Sequence, residues 1–147
     1  MQLTPKQRRV IDQVVNVFET GTPAGDYANI SIFADGPSDV RQITYGRSQT
    51  TEYSKLRDLI ERYVLAGGLY GSQLAPYVTR IGSEPLVDDE AFKDLLRQAG
   101  QEDPRMRSVQ DGFFDERYFQ PAMAWADENR LTLPLSALVI YDSFIHS

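Results

Sequence analysis

Three carboxyl groups near the start of the chain have types and an order that suit acid–base chemistry. Glu19 ends an amphipathic segment, and Asp35 and Asp39 lie in the turn-rich segment that follows. Hydrolysis of a glycosidic bond usually takes two carboxyl groups, one that protonates the leaving oxygen and one that activates water or attacks the sugar. An inverting reaction needs roughly 6.5–9.5 Å between them, which leaves room for the water. Glu19 and one of the two aspartates are candidates for such a pair, and the structural alternative is a solvated glutamate at a helix end with two turn aspartates.

The segments around these carboxyl groups predict a helix followed by a β-hairpin. Thr4, Pro5 and Gln7 have the spacing of a capped helix start, and an apolar stripe runs from Val10 to Phe18. Residues 27–33 alternate between apolar and polar side chains, residues 35–38 have turn composition, and residues 40–45 suit a return strand. The hairpin would therefore follow directly on the helix that carries Glu19.

The rest of the chain predicts helices. We expect Thr50 or Thr51 to cap a second helix, with Glu52 in its first turn, and further helices over residues 72–81, 88–98, from 103, and 114–128. Pro121 is expected to kink or split the predicted helix over residues 114–128. The last helix, over residues 135–145, is apolar nearly all round and is expected to be the buried central helix. One hairpin within a helical body indicates a mainly helical α+β class.

Composition and charge narrow the classes of function. The length of 147 residues suits one domain. A net charge of −6 argues against nucleic acid as a partner, and an acidic surface would attract a cationic polymer. No stretch is apolar enough to span a membrane, and the N-terminus lacks the apolar core of a signal peptide, so the compartment is left open. With no cysteine and a single histidine, His146, we predict neither a metal nor a cofactor.

Three blocks of residues resemble a known family. They are Val17-Phe18-Glu19, the Asp-Val-Arg-Gln-Ile-Thr-Tyr-Gly run at residues 39–46, and Tyr-Phe-Gln-Pro-Ala at 118–122 followed by residues 134–143 with a Tyr-Asp pair. In this the chain resembles the glycoside hydrolase family 46 chitosanases of the lysozyme-like superfamily. The resemblance implies one lysozyme-like domain over residues 1–147, with a small β-hairpin beside a helical body. It also implies endo-hydrolysis, with inversion, of chitosan, a β-1,4-linked glucosamine polymer.

The resemblance assigns roles to the residues of the first two blocks. Glu19 would be the general acid, a hairpin aspartate the general base, and Thr44 would help to hold the attacking water. Asp39 keeps the family's spacing to Arg41 and Thr44 and is narrowly preferred as the base. Asp35 competes with it because it lies beside a glycine, as the family's aspartate does.

Further side chains are candidates for binding sugar. They are Arg41, Tyr45, Gln49, Glu52 and Tyr27. Each has a structural alternative: Glu52 suits a helix start, tyrosines are often core residues, and Arg41 suits a strand surface. Asp142 lies in the most apolar helix, where a carboxylate needs partners, so it is a candidate for orienting an arginine; the structural alternative is a polar helix face near the C-terminus.

Two alternative functions remain open at this point. One is a peptidoglycan hydrolase similar to lysozymes and endolysins, which the negative charge disfavours because bacterial walls are usually anionic. The other is a non-catalytic carbohydrate-binding or assembly module. Typical family members, which are usually secreted, continue through a further lobe. We therefore expect this chain to lack the family's C-terminal part, and a further chain or segment to complete the cleft.

Overall fold

A computed structural model of the chain describes residues 2–20, 25–47 and 50–146. Its helices and strands are α1 (Pro5–Thr20), β1 (Ile30–Phe33), β2 (Gln42–Tyr45), β3 (Thr50–Thr51), α2 (Leu56–Leu65), α3 (Gly71–Leu74), α4 (Glu90–Glu102), α5 (Pro104–Phe114), α6 (Gln120–Glu128) and α7 (Pro134–His146). Short 3₁₀ turns lie at Pro37–Asp39 and Ala75–Tyr77, and a π-helical turn at Asp115–Phe119 precedes α6. The class is mainly helical α+β, as the sequence predicts.

The chain divides into two compact units. The sheet unit comprises residues 26–110, and the terminal unit comprises residues 1–25 together with 111–147. The expectation of one domain over residues 1–147 stays a prediction.

The first helix begins as its sequence predicts. The Thr4 hydroxyl accepts a hydrogen bond from the Gln7 N–H at 3.1 Å, and the Gln7 side chain accepts one from the Thr4 N–H at 2.9 Å. These two reciprocal bonds form a capping box. The apolar stripe is only partly buried, because Ile11 and Val15 lie in the core while Phe18 is 68% exposed. The predicted helix is confirmed, and its apolar stripe is buried only in part.

The strands form a three-stranded antiparallel sheet in the order β1-β2-β3. Register pairs Ile32 with Ile43 and Ser31 with Thr44, and Thr44 also pairs with Thr51. The predicted hairpin is confirmed. The prediction that Thr50 or Thr51 caps the second helix is wrong, since both residues lie in β3 and α2 begins only at Leu56.

The helices of the sheet unit enclose an apolar core. Leu59, Ile60, Leu74, Phe92 and Leu96 are fully buried. The Asp89 carboxylate accepts a hydrogen bond from the Phe92 N–H at 3.0 Å and caps α4. The helix predicted over residues 88–98 is therefore present, but it begins after the cap at Asp89 and ends later, at Glu102.

The last helices belong to the terminal unit. Pro121 lies in the first turn of α6, directly after the π-helical turn, so the predicted helix over residues 114–128 is split there. In α7, Ala137 and Tyr141 are buried but Leu135 is 69% exposed and Val139 is 59% exposed. The prediction of a buried central helix is therefore wrong, since α7 packs along one face only.

Among the residues that the structure describes, none of the helices combines the length and the hydropathy that a membrane crossing requires.

Candidate active site

The predicted base and water ligand lie on the sheet unit, around strand β2. Side chains two residues apart in a strand point to the same face of the sheet, so Gln42 and Thr44 share one face, while Ile43 and Tyr45 share the other. Ile43 and Tyr45 are fully buried in the core. The face of Gln42 and Thr44 also carries Ser31, opposite Thr44, and Phe33, opposite Gln42.

Asp35 and Asp39 differ in how their carboxylates are held. Asp35 Oδ1 accepts a hydrogen bond from Gln42 Nε2 at 2.9 Å. Both residues are exposed, but the Asp39 carboxylate makes no hydrogen bond or ion pair to any residue within 2–20, 25–47 and 50–146. The backbone of Asp39 is left-handed, with φ 60°, in the turn at Pro37–Asp39. An oriented carboxylate is the better candidate for a general base, so the geometry favours Asp35 over the narrowly preferred Asp39.

Thr44 has a buried hydroxyl that lacks a protein partner. Its side chain is buried on the same face of β2 as Gln42, and Oγ1 has no hydrogen-bond partner among the described residues. A buried hydroxyl without a partner costs free energy, and ordered water commonly satisfies such groups. The role of Thr44 in holding the attacking water stays a prediction.

Glu52 has a structural role that differs from the predicted ones. Its side chain is 1% exposed, and its carboxylate accepts hydrogen bonds from the Ile43 N–H at 3.0 Å and the Leu86 N–H at 2.9 Å. The carboxylate therefore ties β2 to the segment before α4. Because it is buried and bonded to the backbone, we correct both predictions for Glu52, the helix start and the sugar contact.

The tyrosine and arginine candidates have different positions. Tyr45 is fully buried and donates its hydroxyl hydrogen to Leu96 O at 2.7 Å, so the prediction that it binds sugar is wrong. Burial raises the pKa of the Tyr45 phenol, which stays neutral. Arg41 is exposed and lies 3.6 Å from the carboxylate of Asp88, an exposed pair of the weak kind. Tyr27 is half-buried. Sugar contacts by Arg41 and Tyr27 stay predictions.

Two candidates lie outside what the structure describes. Glu19 belongs to α1, close to its C-terminal end, but its side chain is among the parts not described. Gln49 lies wholly outside the described residues. Asp142 is partly buried on α7 in the terminal unit, and its role in orienting an arginine stays a prediction. The roles of Glu19 and Gln49 stay predictions as well.

Two glutamines with positioning roles escaped the sequence analysis. Gln42 holds Asp35, as described above. Gln110 is fully buried, donates to Tyr27 O at 2.9 Å and accepts from the Arg47 N–H at 3.1 Å. Gly46 has φ +85°, and a Cβ there would lie 2.7 Å from Gln110 Oε1, so a glycine is required beside this glutamine. The available signal in the sequence was a glutamine at a position where the pattern of a strand or helix predicts burial.

The described residues contain no group of three or more histidine, cysteine, aspartate or glutamate side chains arranged to hold a metal ion.

Comparison with known proteins places the chain among glycosyl hydrolases. The model of glycosyl hydrolase family 46 matches residues 13–147. The chain is 29% identical, over 149 aligned residues, to a chitosanase of Bacillus subtilis strain 168. It superposes with a TM-score of 0.83 and 30% identity on a family 46 chitosanase of Gynuella sunshinyii in complex with chitotetraose. A native chitosanase of Bacillus subtilis MY002 gives the same TM-score of 0.83 at 26% identity.

The coverage of these matches is unequal. They include 97–99% of this chain but 52% of the strain 168 protein and 60% of each solved chain. The chain thus spans roughly half to three fifths of the length of these relatives. The likeness to these solved structures confirms the lysozyme-like fold that the sequence resemblance predicted. Since the family model accounts for most of the chain, the protein belongs to glycosyl hydrolase family 46.

Proposed function

We propose that this protein is an endo-chitosanase that hydrolyses β-1,4-linked glucosamine polymers with inversion. The observation that carries the proposal is the family 46 match over residues 13–147, which includes Glu19, Asp35 and Thr44. The solved neighbour in complex with chitotetraose supports the same class of substrate. A net charge of −6 suits a polymer of protonated amines.

In the proposed reaction Glu19 is the general acid. Its carboxyl proton passes to the glycosidic oxygen as the bond from that oxygen to the anomeric carbon breaks. Asp35 is the general base and takes a proton from water while the water oxygen attacks the anomeric carbon from the opposite face. Thr44 accepts or donates a hydrogen bond to that water. The products are two shorter chains, one with a new reducing end of inverted configuration.

The choice of Asp35 rests on how the two hairpin aspartates are held. A base that must accept a proton from a positioned water gains from a fixed carboxylate, because misplacement weakens proton transfer. Asp35 has a hydrogen bond from Gln42, and Asp39 lies at the exposed turn. Asp35 therefore replaces Asp39 as the proposed base.

The test is release of reducing ends from chitosan and from peptidoglycan. The parent chain should cut chitosan, and Glu19→Gln and Asp35→Asn should each lower kcat by about 10²–10⁴-fold, the usual contribution of a general acid or base. Asp39→Asn is the matched control and should stay within about 3-fold of the parent, since a surface turn carboxylate contributes little.

Each other outcome overturns a specific part of the proposal. Loss of activity in Asp39→Asn together with an active Asp35→Asn would reverse the assignment of the base. Cleavage of peptidoglycan but not of chitosan would show that the substrate is peptidoglycan. A folded parent that binds chitosan without cutting it would point to a non-catalytic carbohydrate-binding module.

A further inference from the structure

We infer that Gln42 is a positioning residue for the reaction and fixes the carboxylate of Asp35 through a relay that starts at the backbone of Tyr53. The inference rests on the proposed function, because it gives Asp35 the role of the base. Gln42 itself touches neither the substrate nor the water in this scheme. It acts by holding one oxygen of Asp35.

The orientation of the Gln42 amide is set by its other partner. The backbone N–H of Tyr53 donates to Gln42 Oε1 at 3.2 Å. A backbone N–H can only donate, so the oxygen of the amide must face Tyr53 and the NH₂ group must face the other way. Gln42 Nε2 then donates to Asp35 Oδ1 at 2.9 Å. The amide cannot flip without losing both hydrogen bonds.

Burial holds Gln42, the central member of this relay, whereas Asp35 is exposed and Tyr53 is half-buried. Gln42 is 5% exposed and lies in β2. Its partner across the sheet is Phe33, which precedes Asp35 by two residues in the chain. A Cβ at Gly36 would lie 2.8 Å from the Val40 carbonyl oxygen, 3.3 Å from Tyr53 Cδ2 and 3.5 Å from Gln42 Cδ. Glycine thus lets the loop close against the Val40 carbonyl, and this loop lies beside the Gln42 amide.

The relay leaves the reactive part of Asp35 open. Gln42 binds Oδ1, and Oδ2 has no hydrogen bond to any residue in the described part of the chain. A neutral donor fixes the carboxylate without adding a positive charge beside it. Thr44, which carries the buried hydroxyl without a partner, lies two residues further along the same face of β2. One carboxylate oxygen is therefore anchored while the other is available to a water near Thr44.

Two variants of Gln42 test the inference in different ways. Gln42→Met keeps the size of the side chain and removes both hydrogen bonds, so kcat on chitosan should fall by about 10–100-fold with KM within about 2-fold. Gln42→Glu keeps an oxygen for the Tyr53 N–H but places a second carboxyl group beside Asp35. Its activity should fall as pH rises, because two carboxylates at hydrogen-bond distance repel and share a proton only in acid.

The controls separate positioning from folding. Gln73→Met makes the same substitution at an exposed site in α3 and should leave kcat unchanged. Circular dichroism and thermal unfolding of each variant report the fold. A Gln42→Met that is folded and has parental kcat, or a Gln42→Glu with the parental pH profile, would overturn the inference.

Failure of the proposed function is distinguishable from failure of the inference. If the parent does not cut chitosan, crystal structures of the parent and Gln42→Met decide the matter. An Asp35 carboxylate that is ordered in the parent and changes rotamer or loses order in Gln42→Met supports the positioning role. An unchanged carboxylate in both structures refutes it.

Discussion

The two units of the chain use different interactions to fix their backbones. In the sheet unit, buried polar side chains bond to backbone groups of other segments: Glu52 to β2 and the segment before α4, Gln110 to the segments at Tyr27 and Arg47, and Asp103 to Leu69. In the terminal unit, helices α1 and α7 pack through apolar faces, and a long-range polar contact joins two side chains: Arg8 donates to the Asp115 carboxylate at 3.1 Å. These helices also line a shallow apolar groove of about 330 Å³ between Val10, Ile11 and Leu135.

This difference decides what each unit tolerates. Removing a buried polar side chain that accepts hydrogen bonds from several backbone N–H groups leaves all of those groups unsatisfied in the interior. Each unsatisfied group lowers the free energy of unfolding. Truncating a buried apolar side chain on a helix lowers the free energy of unfolding in proportion to the volume removed. Truncating an exposed one changes it little. The sheet unit, which carries Asp35, Gln42 and Thr44 of the proposed site, should therefore lose more stability than the terminal unit when a buried polar side chain is replaced.

The largest effect is expected from Glu52→Ala in the sheet unit. It leaves the Ile43 and Leu86 N–H groups buried without acceptors, each at a cost of about 1–3 kcal/mol, so the free energy of unfolding should fall by about 4 kcal/mol. Urea denaturation measures this. Glu84→Ala, which removes an exposed pair with Arg80, is the control and should cost less than about 1 kcal/mol. Equal effects of the two would remove the contrast between buried and exposed carboxylates.

An apolar substitution in the terminal unit should have the next largest effect. Ile11 is buried on α1, and Ile11→Ala should lower the free energy of unfolding by about 2–4 kcal/mol through lost burial and a cavity. Val10→Ala, at a half-exposed position in the same helix, should cost less than about 1 kcal/mol. Chemical denaturation of both variants makes the comparison, and a costly Val10→Ala would mean that this face is packed.

A smaller effect with a pH signature is expected from Asp103→Asn. Burial opposes ionisation of Asp103, but hydrogen bonds from the Tyr63 hydroxyl at 2.6 Å and from the Leu69 and Arg105 N–H groups outweigh it and hold the pKa below its usual value. A depressed pKa in the folded state contributes stability above the unfolded value of about 3.9, and this stability is lost as pH falls through the folded value.

The measurement for Asp103 is the free energy of unfolding as a function of pH. The parent should exceed Asp103→Asn by about 1–2 kcal/mol at neutral pH, with the difference shrinking below about pH 4. Asp94→Asn, at an exposed position on α4 that pairs with Arg97, is the control. A parent and variant that differ by the same amount at every pH would show that the hydrogen bonds do not depend on the charge of Asp103.

The smallest effect is expected from Leu135→Gln in the terminal unit. Leu135 is largely exposed, so the free energy of unfolding of the isolated chain should change by less than about 0.5 kcal/mol. Unfolding at several protein concentrations makes the measurement. A large or concentration-dependent loss would show that the apolar face of α7 is covered, and the contrast between the two units would then need revision.

Local patterns in the sequence predicted the elements of this fold well. The capping box at Thr4 and Gln7, the antiparallel pairing of residues 30–33 with 42–45 and the mainly helical α+β class all follow from capping chemistry, alternation and turn composition. The resemblance of three short blocks was enough to identify the family. These signals are local, because each depends on residues that are near one another in the chain.

The sequence by itself determined the family, the fold class and the short list of carboxyl groups that suit hydrolysis. Tertiary structure alone decided which polar residues act on distant segments: that Glu52 bonds to Leu86 rather than starting a helix, that Thr50 and Thr51 form a third strand, and that Gln42 holds Asp35. It also decided that Phe18 and much of α7 are exposed. The physical reason is that periodicity shows which residues share one face of an element, whereas burial and hydrogen-bond partners depend on what the fold brings against that face.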